Sequence, residues 1–134
     1  MIGPQEALIY TMVLVSASDG EMTDAELQTI GDIIKHLPIF RDYDLDTLGK
    51  TAEACAELLA DPAGLDTAGD LIQEALPAKL RETAYALACD VAAADADVSQ
   101  AELELLRWLR GRLGLARLEA AAIERATRAH FIKV

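Results

Sequence analysis

An acidic motif occurs twice in this chain, 76 residues apart, each time between an apolar helical stretch and an amphipathic one. The first copy reads Asp19-Gly20-Glu21-Met22-Thr23-Asp24-Ala25-Glu26-Leu27. The second reads Asp95-Ala96-Asp97-Val98-Ser99-Gln100-Ala101-Glu102-Leu103. Acid, acid, apolar, hydroxyl and acid keep one spacing in both. Both copies set three matched carboxylates within eight residues at a helix start. A chain built as two such halves is constrained to bury two like helices side by side, so the expected fold is an all-α bundle with a pseudo-twofold axis.

The periodicity predicts seven helices, over about 4–18, 23–37, 44–60, 62–76, 77–94, 99–114 and 116–129. Pro4, Pro62 and Pro77 suit first-turn positions, and Thr23 and Ser99 suit N-caps. Leu8, Ile9, Met12, Val13, Leu14 and Val15 make the first helix apolar on nearly every face. Ala84, Leu87, Ala88, Val91 and Ala92 do the same for the fifth with smaller side chains. Helices apolar all round lie at the centre of a bundle. The second helix carries one stripe, Leu27, Ile30, Ile34 and Leu37, which the sixth repeats as Leu103, Leu106 and Leu113, with Leu109 opposite Ile33. The third and seventh helices form a weaker matched pair. The expectation is a single domain over 1–134, with repeat units 4–60 and 77–130 joined by a connector helix over 62–76.

Composition agrees. Hydrophobic residues make up 52% and aromatics 4% of 134 residues. Ala and Leu dominate, which favours helix over sheet. Net charge is −11, and it is unevenly placed. Residues 1–78 hold 15 acids and 3 bases, whereas 79–134 hold 8 acids and 9 bases. The acidic half repels phosphate backbones and anionic lipid, and suits cations or basic proteins. No nucleic-acid partner and no direct membrane insertion are expected. Arg107, Arg110, Arg112 and Arg117 read as a solvated helix face. The apolar run Ala7–Ala17 has no basic flank for a signal peptide and is too short to span a bilayer. Cys55 and Cys89 belong to no CxxC pair and read as buried thiols of a reducing compartment. The expected location is cytoplasmic.

Two readings of the acidic motif stand side by side. Thr23-x-x-Glu26 and Ser99-x-x-Glu102 are capping boxes, and the acids face the positive end of a helix dipole. Capping accounts for Thr23, Ser99, Glu26 and Glu102 without any ligand. It does not account for the doubled acids Asp19 with Glu21, and Asp95 with Asp97. Alternate oxygens in an extended turn followed by a later glutamate are how calcium loops are built. The motif is shorter than an EF-hand loop and is not one. An all-oxygen set selects calcium, magnesium or manganese over zinc or copper. The candidate metal ligands are Asp19, Glu21, Thr23, Glu26, Asp95, Asp97, Ser99 and Glu102. His36 reads as facing the negative end of its helix, and His130 as a terminal surface residue. Asp90, a lone acid in an apolar run, is either a buried acid bonded to a neighbouring helix or part of the second acidic site. There is no nucleophile–base pair and no Gly-rich phosphate loop, so no catalytic activity is expected.

The stretches Val15–Glu26 and Ala92–Glu102 resemble the paired motifs of the TerB-like tellurite-resistance family. The likeness extends over nearly the whole chain, including the Leu113-Gly114-Leu115 stop. It implies a small all-helical bacterial cytoplasmic protein of tellurite resistance and wider stress response. It also implies metal binding through both motifs and assembly with protein partners of a stress-response complex, some at the membrane. The oligomeric state is left open. The alternative is an acidic helical adaptor for protein interactions with no metal. In one respect the motifs differ: Gly20 fills a position where a turn can need positive φ, and Ala96 stands there in the second copy. Tellurite itself is an oxyanion, for which so acidic a protein is a poor receptor.

Overall fold

The computed structural model describes residues 1–18, 20, 22–94 and 98–134. Seven α-helices follow in order: α1 Pro4–Ser16, α2 Asp24–Ile34, α3 Leu48–Leu59, α4 Gly64–Ala75, α5 Arg81–Ala94, α6 Gln100–Arg112 and α7 Arg117–His130. No strand occurs among the described residues. The expected all-α bundle and its seven helices are observed, with shorter ends. Short 3₁₀ turns at Leu45–Thr47 and Ala78–Leu80 lead into α3 and α5. Pro77 and the cap at Asp44, whose Oδ1 accepts from the Asp46 N–H at 3.0 Å, set those turns.

Helix α1 is the centre. Every residue from Ala7 to Ser16 is buried, and it packs on α3, α4 and α5. Midway along it, the Thr11 hydroxyl donates to the Ala7 carbonyl at 2.8 Å, so that polar group is satisfied within the helix. Helix α5 lies against α1 on one side and α7 on another. Its small side chains, Ala84, Ala88 and Ala92, are almost fully enclosed. The outer helices contribute stripes: Ile30 and Ile34 from α2, Ala52 and Cys55 from α3, Ala68 and Ile72 from α4.

The stripe of α6 differs from expectation. Leu109 and Leu113 are buried, but Leu103 is 46% exposed and Glu102 is only 2% exposed. The inward face of α6 therefore runs Glu102, Leu109, Leu113, a spacing of two helical turns and then one. Leu103 is turned toward an open groove instead. The basic cluster also differs from a solvated face. Arg112 bonds Asp70 at 2.5 Å and lies 5.4 Å from the Trp108 ring. Arg110 bonds Glu124 of α7 at 3.0 Å. These two cations fasten α6 to α4 and α7.

Both cysteines are free and buried, as read from the sequence. Burial pushes each thiol up to about 12, far from the thiolate form at neutral pH.

Candidate cation site

Helices α2 and α6 open with matching capping boxes. The Thr23 hydroxyl accepts from the Glu26 N–H at 3.1 Å, and Glu26 Oε1 accepts from the Thr23 N–H at 2.8 Å. The Ser99 hydroxyl accepts from the Glu102 N–H at 3.0 Å, and Glu102 Oε1 accepts from the Ser99 N–H at 3.0 Å. Capping thus takes part of the donor set in each copy.

The fold then brings the two glutamates to one place. A small cavity of about 40 Å³ is lined by Ser16, Glu26, Thr29, Val91, Ala94 and Glu102. Ser16 closes α1 and Ala94 closes α5; Glu26 and Glu102 sit in the first turns of α2 and α6. The cleft therefore lies where two helices end and two begin. The carbonyl ends of α1 and α5 and the amide ends of α2 and α6 oppose one another there, which leaves the charge of the cleft to Glu26 and Glu102. Its volume suits one water- or ion-sized occupant, since a water takes roughly 30 Å³.

One atom in the cleft wants a partner. The Ser16 hydroxyl is buried and has no hydrogen-bond partner among the described residues. Buried polar atoms are nearly always paired with protein, water or an ion. With Glu26, Glu102 and Thr29 around it, the donor set is all oxygen, as a hard cation requires. Glu26, Glu102, Ser16 and Thr29 are thus oxygen donors of the kind that calcium, magnesium or manganese takes.

Of the eight candidate ligands, Thr23, Glu26, Ser99 and Glu102 are placed, and Glu26 and Glu102 meet across the cleft. Thr23 and Ser99 act as caps and do not line it. Asp19, Glu21, Asp95 and Asp97 lie outside the described residues, as does Ala96. Among the described residues, no group of three His, Cys, Asp or Glu side chains stands ready to hold a metal. Gly20 has φ of +131°, a left-handed value that favours glycine, as the turn was expected to require. Ser16 and Thr29 were missed in the sequence. Neither belongs to the repeated acid-and-hydroxyl pattern itself, and only the convergence of four helix ends puts them beside the glutamates.

A family model described as Tellurite resistance protein TerB matches residues 5–125. The chain belongs to the TerB family. The match takes in both acidic motifs, helices α2 to α6 whole, all of α1 but Pro4, and most of α7. TerB membership supports a tellurite-resistance-like role. No curated protein and no solved structure matches the chain.

Asp90 is not the hydrogen-bonded buried acid of the first sequence reading, and the second acidic site of the other reading lies outside the described residues. It is half-buried on α5, makes no hydrogen bond among the described residues, and does not line the cleft. Burial pushes its carboxyl up, against a smaller downward pull from His130 on α7. A carboxyl held protonated more tightly when folded lends stability in acid and withdraws it as pH climbs through its folded value. Asp90→Asn is therefore expected to melt above the parent at pH 7. The gain should vanish below about pH 4, the ordinary aspartate range, in a pair of melting curves.

Proposed function

We propose that this TerB-family protein is a non-enzymatic, cytoplasmic stress-response module that binds a divalent cation, calcium, magnesium or manganese, through its paired acidic turns. The cation would join the two turns and so present a defined surface to protein partners. The single observation that carries this reading is the shared cleft of Glu26 and Glu102, with the unpartnered Ser16 hydroxyl beside them. Asp19, Glu21, Asp95 and Asp97 would complete the coordination from the turns that precede each helix. The bound ion would supply charge neutralisation between two acidic bends. The protein's own residues hold the helix starts in register through the capping boxes. The halves 4–60 and 77–130, with 62–76 as connector, would be the two arms of this device.

Thermal unfolding tests it. A cation at a hundredfold excess over its Kd stabilises by about 2.7 kcal/mol, which raises the midpoint by roughly 5–15 °C in a domain of this size. Calcium, magnesium or manganese is expected to produce such a rise over EDTA, and Asp19→Asn/Asp95→Asn is expected to abolish it. Identical melting in EDTA and in all three cations would sink the proposal.

A second reading has its own support. Asp42, Asp44 and Asp46 are exposed, and between residues 20 and 60 the contact of Lys35 with Asp32 is the one ion pair among the described residues. An acidic face of that kind suits a basic protein partner without any metal. Capture of such a partner would then weaken with salt and persist in EDTA.

A further inference from the structure

A cavity of 690 Å³ lies away from the acidic cleft, between α5, α6, α7 and residues 131–133. It reaches down to Tyr85 and Cys89, which are 1% and 5% exposed. Val98, Leu103, Phe131 and Ile132 line it and are 42%, 46%, 42% and 77% exposed. Single exposed apolar side chains are ordinary on a folded surface, but four around one groove mark a binding surface. The groove also has charge. Arg107, Arg128 and Lys133 line it, are exposed, and form no ion pair among the described residues. Among the described residues the one acid there, Glu124, is engaged: it accepts from the Tyr85 hydroxyl at 2.5 Å and from Arg110 at 3.0 Å.

We propose that this groove binds a long-chain carboxylate, with the acyl chain along Leu103, Leu106, Phe131 and Ile132 and the carboxylate at Arg107, Arg128 and Lys133. Three observations select a small amphiphile over a macromolecule. The volume falls within the roughly 300–1,000 Å³ of small-molecule sites. The floor is enclosed core, which an acyl chain reaches and a helix laid across the rim does not. A second copy docked face to face would set the same three cations against themselves, because a twofold interface pairs a patch with its own image. Charge complementarity then fixes the polarity of the ligand: an apolar chain with an anionic end, in a protein whose net charge of −11 leaves unmatched cations only locally. The inference does not depend on the cation cleft and survives its failure.

The probe is laurate, added below its micellar range to the full chain, with calorimetry and amide NMR shifts as readouts. Saturable one-to-one binding is expected, with shifts at Leu103 and Leu106. Dodecanol and dodecyltrimethylammonium, which share the chain but not the negative charge, are expected to bind at least about tenfold more weakly. Arg107→Gln/Arg128→Gln should lose about tenfold in laurate affinity at an unchanged melting midpoint. Leu103→Glu, at an exposed position, should lose binding without unfolding. No saturable laurate binding overturns the proposal. So does equal binding of the cationic amphiphile, or an unaltered affinity in the arginine variant. Dimerisation through the Leu103 and Leu106 amides that laurate fails to reverse also overturns it, as does saturation of those amides by an acidic Leu/Glu helix peptide where laurate does nothing.

Discussion

Leu8→Ala is expected to cost about 2–5 kcal/mol. Leu8 has no solvent exposure and sits one turn before Met12, also fully buried, on a helix packed chiefly against α3, α4 and α5 and touched by α2 and α6. Removing its three terminal carbons loses their transfer from water and leaves a hole that neighbours on α3, α4 and α5 cannot all move to fill. A domain of this kind has only about 5–15 kcal/mol of stability in total. The loss should appear as a lower urea midpoint with an unchanged slope. Leu118→Ala is the control: Leu118 is 76% exposed on α7, and its truncation should change the midpoint little. Equal effects at the two positions would contradict the placement of α1 at the centre.

The second large effect is a reversal of sign between two glycines. In a helix, alanine in place of glycine ordinarily adds up to about 1 kcal/mol. Gly111 follows that rule, since a Cβ there meets nothing within 4 Å on the exposed side of α6. Gly111→Ala should therefore raise the melting midpoint. Gly64 begins α4, and a Cβ there would overlap the Leu58 carbonyl oxygen at the end of α3. The contact is with backbone, which cannot swing aside as a side chain can. Gly64→Ala must part α3 from α4 and is expected to cost about 1–3 kcal/mol, the usual range for forced overpacking. Stabilisation at both glycines would mean that the α3–α4 turn is looser than described.

Most of the architecture was legible because it rests on periodicity. The all-apolar faces of α1 and α5 read directly as central helices, and the Thr23–Glu26 and Ser99–Glu102 spacings read directly as caps. The acid spacing was equally visible in the sequence, and Glu26 and Glu102 hold matching first-turn positions of α2 and α6 that line one cleft. What escaped lies between elements. The partners of Arg110 and Arg112 are 14 and 42 residues away in the chain, so no local pattern points to them. The role of Leu103 was misread because its spacing from Leu106 and Leu113 is helical. Its neighbour Glu102 shares a stripe with Leu109 and Leu113 just as well, and an acid at a cap draws no attention as a core-facing residue. The groove beyond Leu103 needs three helices and residues 131–133 at once, which only the folded chain supplies.

The two enclosed thiols make the chain its own reporter. An alkylating reagent or an oxidant attacks the thiolate, and here both thiols are buried and held protonated in the closed bundle. Labelling of Cys55 would follow separation of α3 from α1, whereas labelling of Cys89, at the floor of the groove, would follow its widening as α7 leaves α5. The order in which the sulfurs react therefore reads out which half of the molecule lets go first, with no probe added to the sequence.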